Sequence, residues 1–339
     1  MMFAAARPIA TAMSVVTRKK PTVQLPNCKA GFLHRPIINE YLEVLWTLLR
    51  RLDPALDRKS LNFRMNPGHD IDVPFMAYRT GIKQFLRYFL SELNTRRRLN
   101  MLLPLLKGSL QAKCGLIQHD PFFTFDYIMT QSEKRDIHSR FFLIVDSGAS
   151  HMDGTYAIED PEITTLLTEI QNRGHEIALH CSYQTCLDGE RIKNEFMKLQ
   201  DCCRKLDIRQ EISSSRQHYL RFHVADTWRL LDQAGIQYDE SLAFAGSPGF
   251  RCGICYEFPV FDLQLGRQLD LLERPLIAMD SSILLKRYSG SNAGEQGLDR
   301  LVQLKKACKR YNGTFNLLWH NNHLSGARER EMYEMLLDA

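Results

Sequence analysis

Short apolar runs alternate with helical periods along most of this chain, and that alternation limits the fold more than any other feature. "SRFFLIVD" (139–146) is continuously apolar, as strands buried on both faces of a parallel sheet are. "DPEITTLLTEIQNRG" (160–174) then sets an acid before Pro161 and closes on Gly174, the start and stop signals of a helix. "HEIALH" (175–180) reads as the next strand, "GERIKNEFMKLQDCCRKL" (189–206) as the next helix, and "VADTWRLLDQAG" (224–235) again ends in glycine. Strands are expected at 256–263, 275–279 and 314–319, with a last helix at 297–313. Upstream, "INEYLEVLWTLLRRL" (38–52) places Leu42, Leu45, Leu48, Leu49 and Leu52 on a helix face, a strand leads into "GHDID", and residues 76–106 read as one or two helices. This order calls for a parallel sheet, open or closed into a barrel, and either puts functional groups at the C-terminal ends of strands.

Composition removes several function classes. A net charge of +5 over 339 residues is mild, and the basic tracts at 17–21 and 94–100 are not interleaved with aromatics, so nucleic acid is not an expected partner. Nine cysteines, an odd number, do not form a disulfide framework, and "CGIC" (252–255) lacks the second pair of a zinc finger; a reducing compartment is expected. The N-terminus is apolar first and basic later, the reverse of a secretory signal, and "FLRYFLSEL" and "MLLPLL" are interrupted by Arg87 and Pro104. No apolar run approaches the roughly 20 residues that span a bilayer. The expectation is a cytoplasmic protein without a transmembrane segment, its oligomeric state open.

Four segments carry His, Asp or Arg at an expected strand end: Asp70 and Asp72, His180, Arg216 with His218 and Arg221, and His320. Period-2 geometry points Asp70 and Asp72 to the same side. Two carboxylates in one volume raise the cost of ionising each other, which a metal ion, a shared proton or plain solvent exposure would resolve. Each residue also has an ordinary explanation: an Asp-x-Asp is commonly a turn or cap, His180 serves equally as a core imidazole, and His320 before Asn321-Asn322 suits a capped turn. Their coincidence at strand ends favours a divalent metal with a water activated for hydrolysis. His69 and His175 read as structural or supporting.

These residues also carry a resemblance. "GHEIALH" resembles the GHEI-x-x-H strand of the polysaccharide deacetylases (NodB-like, carbohydrate esterase family 4), "SRFFLIV" their buried Phe-Phe strand, and "FNLLWH" their late leucine–histidine motif. "HDIDVPF", "SRQHYLRF" and "LLERPLIAMD" are similar to a bacterial branch associated with surface-polysaccharide biosynthesis. The resemblance runs from about residue 35 to the C-terminus and implies a distorted (β/α)7 barrel at 63–339, preceded by an N-terminal arm and helix at 1–62 packing on it. It implies metal-dependent removal of N-acetyl groups from an amino sugar, with a glycan or sugar precursor as the partner. Asp70 would be the base, His320 the acid, and Arg221, or less so Arg216, the arginine orienting the base. Asp72 and His180 would hold the metal, expected to be zinc, with cobalt or manganese as alternatives. Tyr183, Trp319, Arg216 and Arg251 are expected to meet substrate, Arg251 as a clamp on a carboxylate or phosphate, with a structural salt bridge as the alternative.

The sequence departs from the family twice. Where the second metal histidine is usual, four residues after the first, stands Gln184, and Arg-Pro-Pro-Tyr-Gly is replaced by "RFHVA" (221–225). His218 is the expected replacement ligand. The competing expectation is a deacetylase-shaped glycan-binding or scaffold protein without catalysis.

Overall fold

The computed structural model describes residues 31–96, 102–146, 152–284 and 295–338. The arm expected over 1–30 and the end of the basic tract at 97–100 lie outside the described residues. In chain order the elements are α1 (Ile37–Leu52), β1 (Arg64–Ile71), α2 (Ile82–Arg96), α3 (Leu102–Lys113), α4 (Phe125–Glu133), β2 (Arg140–Leu143), α5 (Pro161–Asn172), β3 (Glu176–Cys181), α6 (Gly189–Lys205) and β4 (Ser214–Gln217). They continue with α7 (Thr227–Gln233), β5 (Tyr238–Asp239), β6 (Phe258–Asp262), β7 (Arg267–Glu273), β8 (Leu276–Met279), α8 (Asp280–Leu284), α9 (Glu295–Arg310), β9 (Thr314–Leu318) and α10 (Ala327–Asp338).

The strands form one sheet in the order β6-β7-β5-β4-β3-β2-β1-β9-β8, parallel at every junction except the antiparallel β6–β7 pair. It is curled into a distorted barrel. The Arg216 guanidinium on β4 reaches the Asp70 carboxylate on β1, three positions away in the strand order, which a flat sheet would not permit. Arg140 on β2 likewise meets Glu240, just past β5.

Sequence grammar explains the helix ends. Pro161 opens α5 at a position where no backbone donor is needed. Gly174, at φ 73°, closes it, with the Gly174 N–H donating to the Gln171 carbonyl and the His175 N–H to that of Ile170. Gly235, at φ 85°, ends α7 with the same pair of bonds, to Asp232 and Leu231. The inner faces of the helices, Ile163, Leu166, Leu167 and Ile170 on α5 and Ile192, Phe196 and Leu199 on α6, join Phe141 and Leu143 of β2 in one core.

Helix α1 attaches through its N-terminal end: the Ile38 N–H donates to the Gly253 carbonyl, and the buried Asn39 amide oxygen accepts from the Cys255 N–H. Its leucines, expected against the barrel, are exposed instead. Ile38, Leu42, Leu45, Leu49 and Leu52 recur at four and three residues, and exposed Tyr41 and Leu48 widen them into a broad apolar stripe.

Candidate active site

Strand register gathers the polar residues. Gly68 of β1 pairs with Arg140 of β2 on one side and Leu318 of β9 on the other, while His180 of β3 pairs with Arg216 of β4. The C-terminal ends of β1, β3, β4 and β9 are therefore level, and Asp70, Asp72, His180, His218 and His320 stand on one rim.

Asp72 is the centre of the group. Its Oδ1 lies 3.2 Å from His180 Nε2 and 3.6 Å from His218 Nε2, and its Oδ2 lies 3.6 Å from His320 Nε2. The neighbouring strand and loop orient both ligand-type histidines. His180 Nδ1–H donates to the Arg216 carbonyl at 2.9 Å, and His218 Nδ1–H to Asp153 Oδ1 at 3.0 Å. Each ring is thereby turned so that Nε2 faces Asp72, the arrangement by which an outer partner sets a metal-binding imidazole. Asp153 is itself fixed by the Tyr183 N–H at 2.6 Å.

The residues fit a divalent cation. Asp72 Oδ1 and His180 Nε2 are buried without a hydrogen-bond partner, and together with His218 they form a three-donor set whose ligand atoms lie within 4.8 Å of one another. One carboxylate oxygen and two imidazole nitrogens suit zinc and its neighbours. Burial opposes the charge on Asp72, yet His218 and His180 hold its carboxyl well below the ordinary range. Burial also works against a proton on His218, but Asp72 and Asp153 push it up to about 9. A cation at the cluster would replace that proton. Gln184 is exposed at the start of a turn, whereas the residue that joins Asp72 and His180 in the donor set is His218, directly after β4. Immediately after His218, Tyr219 (φ 58°) and Leu220 (φ 52°) are both left-handed, a conformation that L side chains rarely adopt, and the Tyr219 ring lies 4.4 Å from that of His218.

Asp70 belongs to a second network. Its Oδ1 accepts from Arg216 Nη1 at 2.6 Å, leaving Oδ2 3.5 Å from His180 Nε2. Arg216 is fully buried, lies over the Phe142 ring, and is held from behind by the Glu240 carboxylate at 3.0 Å and carbonyl at 3.1 Å. It has no surface to offer a substrate. Arg221, expected on Asp70, instead donates to the Tyr183 carbonyl and stacks over the Tyr183 ring. The exchange is geometric: the Arg216 side chain points into the barrel from a strand, whereas Arg221 follows the left-handed turn that carries the chain outward.

His320 forms the third element. Its Nδ1–H donates to Asp280 Oδ1 at 2.9 Å, and its backbone N–H to Oδ2 at 2.6 Å. His323 Nδ1 binds the same carboxylate at 2.8 Å. Burial disfavours the charged ring, but Asp280 outweighs it, with Asp72 and Asp70 adding, and pushes His320 up to about 10. The imidazolium is the neutral-pH form, a ring ready to give up a proton.

Trp319, expected to meet substrate, is buried against Tyr333, and its carbonyl accepts from His69 Nδ1–H at 2.7 Å. Burial lowers His69 to about 4, so it is a neutral core imidazole. Tyr183 is half-buried beside Tyr219 at the edge of the group. Arg251 donates to the Ala243 carbonyl at 2.8 Å and lines a cleft of about 320 Å³ with Ile38, Trp228, Leu242 and Phe258. The sequence reading missed Asp153, Glu240, Asp280 and His323. Asp280 directly follows β8 at the end of "LLERPLIAMD", so the strand-end rule that found His320 applied to it equally. Asp153 sits in a β2–α5 connection with no periodic signal.

A scan against protein-family models and a search of curated proteins gave no match. Among solved structures, the chain is similar to one from Mycobacterium smegmatis described as a polysaccharide deacetylase, at 14% identity and a TM-score of 0.50, covering 84% of this chain and 85% of that one. Two further structures, a polysaccharide deacetylase from Pseudomonas aeruginosa PAO1 and the allantoinase PuuE, superpose at 15% and 14% identity with TM-scores of 0.43, each covering 82% of this chain and 83% of its own. The first likeness shows that the fold is that of the NodB-like deacetylases.

Proposed function

We propose that the protein is a metal-dependent hydrolase that removes an N-acyl group, acetyl in the simplest case, from an amino sugar of a glycan or its precursor. What carries this reading is the pair of buried, unpartnered ligand atoms, Asp72 Oδ1 and His180 Nε2, facing His218 between an arginine-held aspartate and an aspartate-held histidine.

An amide resists water because its carbonyl is weakly electrophilic and its nitrogen leaves badly unless protonated. Asp72, His180 and His218 would hold the cation, whose chemistry when bound is to polarise the acyl carbonyl and acidify water. Asp70 Oδ2 accepts the proton of the attacking water, while Arg216 on Oδ1 fixes the direction of that carboxylate. His320, protonated and held through Nδ1, presents Nε2–H to the departing nitrogen. Base and acid thus adjoin different members of the donor set, Asp70 beside His180 and His320 beside Asp72. Tyr183 and Tyr219 border the site and supply rings on which a sugar face can pack.

Elemental analysis of the purified protein tests the reading. About one transition metal per chain is expected in the wild type and none in Asp72→Ala or His180→Ala, with acetate released from acetylated amino-sugar oligomers by the loaded wild type alone. A wild type that takes up no zinc, cobalt or manganese would overturn it.

A further inference from the structure

The connection between β1 and β2 carries an insertion, α2 and α3, that presents apolar side chains outward. On α2, Ile82, Leu86 and Leu90 recur every four residues and are 74%, 48% and 61% exposed. On α3, Leu103, Leu106 and Leu110 are 78%, 40% and 58% exposed. The opposite face of α2 is the one that packs: Tyr88 meets Phe122, and Phe85 lies under Lys113. The outward residues are therefore surplus to the fold, and the two helices together expose on the order of 500 Å² of apolar surface.

Charge indicates what covers them. Lys83 and Arg87 flank the α2 leucines and Lys107 adjoins Leu106, all exposed, and Glu92 is the one acid in the sequence between residues 79 and 119. Apolar side chains interleaved with lysine and arginine suit an interface of acyl chains and anionic headgroups. No helix among the described residues is long and apolar enough to cross a membrane, so these helices would lie along the surface. The α1 stripe differs in mixing both signs: Glu40 and Glu43, paired with Arg35 and Arg58, line its first turns, and the exposed Arg50 and Arg51 stand only in its last turn.

Placement links this surface to the site. The insertion leaves β1 within ten residues of Asp72, and its entry is clamped by the Asp120 carboxylate, which accepts the N–H groups of Met76, Ala77 and Tyr78 at 2.7, 2.8 and 2.8 Å. Lys113 Nζ ties the end of α3 back to the carbonyls of Ala77 and Thr80. The apolar faces are thus fixed to the same rim as the metal-type ligands.

We propose that α2 and α3 dock the protein on an anionic phospholipid surface with the active-site rim beside it. Resting on the function proposed above, the substrate class is an N-acylated sugar presented at a membrane surface rather than free in solution.

Co-sedimentation of the full chain with phosphatidylcholine vesicles, with and without phosphatidylglycerol, tests this. The wild type should sediment with the anionic vesicles and far less with the neutral ones. Leu86→Glu with Leu106→Glu, both exposed positions, should abolish binding while an unchanged thermal melt shows that the fold is kept. Lys83→Gln with Arg87→Gln should weaken it roughly fivefold for each cation removed. Wild-type protein left in the supernatant with both vesicle types would overturn the proposal, as would leucine variants that bind like the wild type. A wild type that ignores vesicles but forms a dimer which the leucine variant dissolves would assign the face to a second copy and overturn it too. Binding is read without metal or substrate, so Asp72→Ala should bind vesicles normally even if the hydrolase reading fails.

Discussion

Glu195 shows at the level of one residue how burial sets a pH dependence, with the Asp146 and Asp153 charges adding to it. It lies on the inner side of α6, where both the N–H and the hydroxyl of Ser182, two residues after His180, donate to its carboxylate. Burial outweighs those bonds and pushes the carboxyl up to about 7 from its ordinary 4.5. The folded chain thus holds a proton that the unfolded chain has released between these values. The resulting stability is complete below about pH 4.5 and is lost as pH rises through 7, on the order of 3 kcal/mol at most. Urea unfolding of the wild type and Glu195→Gln at pH 5 and pH 8 checks this: the wild type's advantage over the variant should shrink at the higher pH. A constant difference would mean that Glu195 is already ionised in the fold. The same residue-level view explains what sequence reading could reach. Asp70, Asp72, His180 and His320 were legible because strand ends concentrate chemistry. The choice of Arg216 over Arg221 was not, because it depends on a left-handed turn at Tyr219 and Leu220 that neither residue type announces.

Among the elements, β1 carries a close steric constraint that bears on the site, and it lies at Gly68 rather than at the aspartates. A Cβ there would stand 2.8 Å from Arg216 Nη2 and 2.9 Å from the Phe142 ring. Arg216 cannot retreat, since Asp70 and Glu240 hold it on both sides. Gly68→Ala should therefore cost about 1–3 kcal/mol, as overpacked cores do, and should push the guanidinium away from Asp70. Equilibrium unfolding measures the first effect, and a crystal structure of the variant the second; an alanine accommodated without loss of stability would show that the barrel interior is looser than the contact implies. The long helices α5, α6 and α9, and β2 with its apolar run after Arg140, were legible from pattern alone. The two-residue β5 was not, nor was β7 and its antiparallel pairing with the expected β6, since a strand of two residues has no periodicity and β7 alternates apolar with polar and charged residues. For α1 the pattern identified the helix but not its surroundings, because a 4-3 leucine spacing does not say whether its partner lies in the same chain.

For the whole molecule, the proposed ligands bring together segments far apart in the chain: Asp72 after β1, His180 at the end of β3 and His218 after β4. The unfolded chain does not hold these three together, so an ion bound by all of them stabilises the folded barrel as a unit rather than one loop. At a free metal concentration 100 times the dissociation constant the gain is about 2.7 kcal/mol, worth roughly 4 °C in midpoint for a chain of this size. Thermal melts of chelator-treated protein with and without added zinc read this directly. His218→Ala should abolish the shift, which assigns the third ligand to β4 and explains how the exposed Gln184 is tolerated. His320→Ala should keep it, because His320 is held by Asp280 and approaches only the far oxygen of Asp72, 3.6 Å away. A shift that survives His218→Ala but disappears in His320→Ala would move the ion to the other side of Asp72 and remove the proton donor from the mechanism. A shift lost in both would make His320 a ligand as well, so the pair of variants separates metal binding from acid catalysis without an assay for the substrate.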